Sequence, residues 1–252
     1  MYTTARGVVI KETHYNEADK ILTVFTHELG KISVFAKGVK KLKSKLMAGC
    51  QLFSYSEFML FETKSMYGIA QCERIDVFPE LRQDLEELCF AAYFCDLLAS
   101  FFEEGEEGNE ALRLLLNTFH ALSRTNHPKW LIKAAFELRL TSLAGYVPNM
   151  QCCHVCKEAA KDDAVYFALS GGNIFCEACG AAAAGGGDVV QITPGIRSCI
   201  YYITQSDLKK IFSFATTLEG IQTLNSISER YILHHVDKHL HSLDYLKKMV
   251  TF

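Results

Sequence analysis

Long apolar runs are missing from this 252-residue chain. Stretches such as Phe58 to Phe61 or Tyr231 to Leu233 fall far short of the roughly 18 residues that a membrane span needs, so no membrane association is expected. The opening Met1 to Arg6 lacks the apolar core of a signal peptide, which points to the cytoplasm. Proline numbers only 4 and no repeat recurs at roughly 20 to 50 residues, which excludes collagen-like, low-complexity and solenoid architectures. Cysteine numbers 10, about 4% of the chain and below the roughly 8 to 10% of a disulfide scaffold. In a reducing compartment those thiols need another explanation. With 49% hydrophobic and 22% charged residues the composition is globular, and the length suits about 1.5 to 2.5 domains.

Several catalytic signatures are missing too. The only Gly-Lys pair, Gly30-Lys31, has neither the upstream glycine nor the following hydroxyl residue of a phosphate-binding P-loop. His27-Glu28 opens like a zinc-protease HExxH, but Lys31 stands where the second histidine should be. No histidine is followed two positions later by the glutamate that zinc deaminases use, and no GxSxG occurs. Binding is therefore expected, and no enzyme activity.

The net charge of −3 conceals a division along the chain. Residues 1–80 carry 11 Lys and Arg against 9 Asp and Glu, whereas residues 81–150 carry 6 against 10. Within the basic part, Lys37, Lys40, Lys41, Lys43 and Lys45 fall in nine residues with no acid among them. Five ammonium groups so close repel one another. A solvated loop tolerates that, and phosphates would relieve it with release of counterions. Lysine reads charge, not bases.

Residues 4–76 read as strands. Val8 and Ile10 alternate with their neighbours, Ile21 to Phe25 is rich in β-formers, Ile32, Val34 and Ala36 repeat with period two, and Leu52 to Phe61 and Tyr67 to Ile75 follow. Gly30 sits where a hairpin wants positive φ. Five short strands suit a small closed barrel of the OB type. After Pro79 the period turns helical: Leu81, Leu85, Leu88, Ala92, Cys95, Ala99 and Phe102 mark one helix, Asn109 is read as the N-cap of a second, and a third runs from Pro128 to Gly145. Thr193-Pro194 has the form of an N-cap followed by Pro at N1. The last helix is expected to align Leu233, Val236, Leu240, Leu243 and Leu246, with His235 and His239 four apart on it. That pair could chelate a metal, but no third ligand is near, so it reads as a polar helix face.

Cys153 and Cys156 form one CxxC, Cys176 and Cys179 another, with 19 residues between. This is the spacing of a four-cysteine zinc site, in which each knuckle aims two sulfurs at one ion and no coordination position stays open. Zinc is expected as a structural cofactor. Gly171-Gly172 supplies a turn between the pairs, and Gly180 is expected to give the second knuckle positive φ. Cys152 is a fifth thiol beside the site, and Cys153 is preferred because it makes CxxC with Cys156. Cys50, Cys72, Cys89, Cys95 and Cys199 read as small buried hydrophobes. The expected class is α+β and multidomain: an OB-fold β-barrel over 1–79, an α-helical domain over 80–147 and 192–252, and an inserted four-cysteine zinc module over 148–191.

The stretch TARGVVIKETHYNEADKILTVFTHELGKISVFAKGVKKLKSK at 4–45 carries Glu17 and Asp19 before the second strand, Thr26, the Gly30-Lys31 turn and Ala36-Lys37-Gly38. Together with GYVPNMQCCHVC at 145–156 and SGGNIFCEACG at 170–180, it resembles the RecO family of bacterial recombination mediators. Cys152 and the run Ala181 to Gly187 depart from the family pattern. The resemblance implies a nucleoid-associated DNA repair protein that binds single- and double-stranded DNA and anneals complementary strands. It also implies that, with RecR, the protein loads RecA onto DNA coated by single-strand-binding protein. It puts phosphate contacts on Lys37, Lys40, Lys41, Lys43 and Lys45, with Arg6 and Lys11 on the first strand. It further implies a helical-domain contact for the acidic, Phe-ended C-terminal tail of single-strand-binding protein, for which Arg113, Lys133 and Arg139 are available. The alternative is a zinc-containing OB-fold scaffold that binds a protein partner or RNA.

Overall fold

A computed structural model describes residues 2–160, 163–183 and 188–250; residues 184–187, the end of the Ala181 to Gly187 run, lie outside them. The chain divides into two compact units. One holds everything up to Arg124 and the stretch from Leu240 onward, and the other runs from Thr125 to His239.

The first unit begins with β1 (Tyr2–His14), β2 (Lys20–Thr26), β3 (Gly30–Ala36), β4 (Tyr55–Glu62) and β5 (Tyr67–Asp76). They close a barrel in the order β1-β2-β3-β5-β4, with only the β3–β5 pair parallel. This is the OB-fold. Strand β1 is long enough to serve two neighbours: Tyr2 to Val8 pair with β4, and Gly7 to His14 pair with β2. Alternation along the strands sends Ala5, Val9, Leu22, Val24, Ile32, Val34, Phe58 and Leu60 into one core. Gly30 has φ +63, and a Cβ there would run into the Glu106 carbonyl, so both conformation and space require glycine. The strand expected from Leu52 begins only at Tyr55. Phe53, fully buried, sits at φ 67, and its N–H donates to the Val9 carbonyl at 2.8 Å, turning the chain before the ladder starts.

The helix expected over 81–102 is two: α1 (Glu80–Gln83) and α2 (Leu85–Phe101). Asp84 separates them in extended conformation, its side chain capping α2 by accepting the Glu87 N–H at 2.9 Å. Leu85 on the expected stripe is 53% exposed, while Phe90, Phe94, Leu97 and Leu98 face the core. In α3 (Asn109–Arg124) Asn109 is the first helical residue instead of the cap; the Leu112 N–H reaches the Gly108 carbonyl, which puts the cap at Gly108.

The second unit contains α4 (Lys129–Leu143), β6 (Val165–Ala168), β7 (Asn173–Phe175), α5 (Glu177–Ala183), β8 (Val189–Ile192), α6 (Pro194–Gln205) and α7 (Leu218–Leu233). Helix α4 ends as expected before Gly145 at φ +95, and α6 starts on the Thr193 cap, whose Oγ1 accepts the Ile196 N–H at 3.3 Å. The small antiparallel sheet β7-β6-β8 carries the cysteine segment. The final expected helix is broken. Helix α7 stops at Leu233, residues 234–240 are irregular, and α8 (His241–Met249) returns to the first unit, where Ser242 Oγ donates to Asp96 Oδ2 at 2.7 Å. His235 leaves the helix to stack on Tyr146, with ring centroids 4.2 Å apart, so its spacing to His239 has no helical geometry and the polar-face reading fails. Among the described residues no helix is long and apolar enough to cross a membrane.

Candidate nucleic-acid interface and metal centre

The lysine run occupies the connection from β3 to β4. Successive tight turns shape it: Lys41 N–H to Gly38 carbonyl at 3.1 Å, Ser44 to Lys41 at 2.8 Å, Met47 to Ser44 at 3.3 Å. Buried Val39 and Cys50 pin it to the barrel core. Lys37, Lys41, Lys43 and Lys45 are exposed and Lys40 is half-buried, so the five ammonium groups lie along one loop.

A second loop holds this one in place. Residues 15–19 join β1 to β2, and Asp19 Oδ1 accepts the Gly38 N–H at 2.6 Å. The Lys40 N–H donates to the Ala18 carbonyl at 3.0 Å, and Lys40 Nζ to the Asn16 carbonyl at 2.8 Å. The Gly38 N–H, against some opposition from burial and with help from Asn16, Lys37 and Lys41, holds the Asp19 carboxyl below its ordinary range. The repelling lysines are thus presented on a fixed backbone.

The remaining basic candidates differ. Lys11 is exposed on the β1 stretch paired with β2. Arg6 is exposed on the stretch paired with β4, but its Nε lies 3.5 Å from Glu28 Oε1 and its backbone N–H donates to Glu28 Oε2 at 2.7 Å. Its charge is partly answered within the protein.

In the second unit, Cys153, Cys156, Cys176 and Cys179 place their sulfurs within 4.8 Å of one another, and Cys156 and Cys176 are 3.9 Å apart. A tetrahedron with metal–sulfur bonds near 2.3 Å has edges of about 3.8 Å, so the four thiols fit one metal ion and leave no open position. Burial opposes ionisation of Cys153, yet the backbone N–H groups of Cys176, Cys156 and Val155 bring its thiol down to about 6. Its neighbour Cys179 is pushed up to about 12 by the Cys176 side chain and by burial. Four sulfurs so crowded ionise together only around a cation. Cys152 stands outside the group, with Asn149 Nδ2 3.6 Å from its sulfur. The positive φ expected at Gly180 falls instead on Lys157, at φ 63, in the first knuckle. Gly180 lies inside α5, where a Cβ would strike the Tyr166 ring; it is glycine for close approach.

The model of the recombination protein O N-terminal region matches residues 1–78, and that of the recombination protein O C-terminal region matches residues 82–244. The chain belongs to the RecO family. DNA repair protein RecO of Acetivibrio thermocellus is 35% identical over 248 residues, covering 98% of this chain and 97% of the relative. The RecO of Alkaliphilus metalliredigens is 31% identical over 250 residues, covering 99% and 100%, and that of Clostridium acetobutylicum 32% over 208, covering 82% of each. RecO membership makes this a protein of DNA repair and recombination.

Two of the basic residues put forward for a tail contact are engaged elsewhere. Lys133, fully buried, has Nζ 2.8 Å from Glu137 Oε1, 3.1 Å from Glu229 Oε2 and 3.0 Å from Asn225 Oδ1, while Ser228 Oγ donates to Glu137 Oε2 at 2.6 Å. Arg139 Nη1 donates to the Thr204 carbonyl. Arg113 is exposed. Spacing pairs Lys133 with Glu137 at i and i+4, but nothing in it says that the pair faces inward. The role of Asp19 was likewise invisible, since its partner Gly38 is 19 residues away.

Proposed function

We propose that the barrel, over 1–79, binds the phosphates of single- and double-stranded DNA through Lys37, Lys40, Lys41, Lys43 and Lys45, with Arg6 and Lys11 as lesser contacts, and anneals complementary strands. The observation that carries this reading is the lysine loop fixed by Asp19 on an OB barrel in a RecO family chain. Cationic side chains screen the repulsion between two polyanions while base pairing supplies the sequence information. Acting with RecR, the protein would load RecA onto DNA coated by single-strand-binding protein. It works by binding, without breaking bonds.

The four cysteines would hold zinc within the module at 148–191; the ion braces the fold, and its closed tetrahedron offers substrate no position. For the acidic, Phe-ended tail of single-strand-binding protein, the second unit offers a cleft of about 640 Å³ lined by Met150, Arg197, Tyr201 and Tyr202, which combines an apolar wall with a cation.

The test is Lys→Ala at Lys40, Lys41 and Lys43 together. Affinity should fall for every DNA sequence alike, the salt slope on duplex should drop by about 2 to 3, and annealing with and without single-strand-binding protein should slow, at unchanged thermal stability. A folded triple variant with unaltered affinity and annealing would favour the scaffold alternative, in which the barrel meets a protein.

A further inference from the structure

Outside the barrel core, the strand register aligns a row of aromatic residues. Tyr2 on β1 is the partner of Phe61 on β4, Phe61 the partner of Gly68 on β5, and Gly68 the partner of Phe35 on β3. Cross-strand partners point to the same face, so Tyr2, Phe61 and Phe35 share one outer face of the barrel, with Gly68 between the last two. Tyr2 and Phe61 meet edge to face with centroids 6.3 Å apart. The Phe61 ring fills the space where a Cβ at Gly68 would stand, which leans it from β4 across β5 toward Phe35. At the other end Tyr15, in the β1–β2 loop, meets Phe35 edge to face at 5.5 Å. Tyr2 and Tyr15 are 67% and 62% exposed, so both rings are open to solvent at the two ends of the row.

We infer that this row, Tyr15–Phe35–Phe61–Tyr2, is a stacking track for the bases of single-stranded DNA. The inference rests on the phosphate-binding reading above and adds to it what lysines cannot supply, a preference for unpaired strands. Two observations and one physical argument support it. The row crosses β3 and is flanked by the β1–β2 loop and by the β4–β5 loop at 63–66, the two loops and strand face with which OB folds hold oligonucleotides. The loop that carries Tyr15 is the same loop that Asp19, Ala18 and Asn16 bind to the lysine run, so ring and ammonium groups share one support. Every base has a π-face, whereas in a duplex those faces are covered by neighbouring pairs; stacking therefore selects single strands without selecting sequence.

Tyr15→Ala and Tyr2→Ala, both at exposed positions, are measured separately and together against oligothymidylate and against a duplex of equal length. Single-strand affinity should fall roughly 5- to 150-fold for each stacked ring lost, with duplex affinity and salt slope unchanged. Tyr15→Trp, which keeps a stacking face, should retain affinity and show emission quenched by oligothymidylate beyond any change from Trp130. Equal losses on single and double strands, or no loss on either in folded variants, would overturn the track. The lysine triple variant run beside them separates the two readings. If it behaves as expected while the tyrosine variants do not discriminate, stacking alone is wrong. If it leaves binding intact, the phosphate reading is wrong.

Discussion

Asp19 illustrates how one side chain can matter to a site it does not itself form. Its carboxylate accepts from the Gly38 N–H, and Lys37 and Lys41 add to the pull that lowers its pKa. A group whose folded pKa lies below its unfolded value contributes stability above the unfolded pKa and loses it as pH falls through the folded one. The clamp should therefore be complete from about pH 5 upward and fail only below about pH 4. Asp19→Asn should accordingly differ from the parent by a constant melting-temperature gap between pH 5 and 8 that closes in more acid solution. A gap that widened on acidification would show that the carboxylate is not the clamp. The lysines themselves were legible from composition, because five like charges without an acid are conspicuous in one dimension. Their anchor was not, since a hydrogen bond across 19 residues leaves no periodic trace.

Among the elements, period and turn chemistry decided what could be read. Alternation in 4–76 and the glycine turn at Gly30 lead to five strands, and the doubled CxxC leads to one sulfur cluster. Helix breaks were missed wherever a polar residue interrupts an apolar stripe without changing its period: Asp84 divides α1 from α2, and the turn at His234 and His235 divides α7 from α8. Helix α2 also hid its inner face, because it is apolar nearly all round, with Phe90, Tyr93, Phe94 and Leu97 all buried. Between α4 and α7 the buried Lys133 is shared by Glu137 and Glu229. Removing one partner of a buried ion pair strands the other, so Glu137→Ala should cost about 3 to 5 kcal/mol, whereas a well-packed apolar replacement of all three charges should cost far less. Denaturant unfolding of the single and triple variants checks this, and a loss below 1 kcal/mol in Glu137→Ala would mean that the pair is not the tie between these helices.

For the molecule as a whole, the division into two units separates the expected roles. The lysine loop belongs to the first unit and the sulfur cluster to the second. A strong chelator should therefore lower the melting of the second unit substantially, since structural zinc in small modules contributes roughly 10 to 16 kcal/mol of apparent binding free energy. DNA affinity through the lysines should persist at temperatures where the barrel stays folded. Calorimetry with metal analysis reads the first effect, and binding at low salt reads the second. A single unshifted transition after complete metal removal would contradict the bracing role.

The double duty of β1 has a consequence for how the barrel comes into being. Its first half waits for a companion that lies some fifty residues further along, from Tyr55 to Glu62, while its second half already has β2 at hand. During synthesis the opening residues must remain an unpaired edge until that late companion leaves the ribosome, the kind of edge that invites wrong association. The ring can shut only when both sides of its seam, Tyr2 to Val8 and the later β4, are available together.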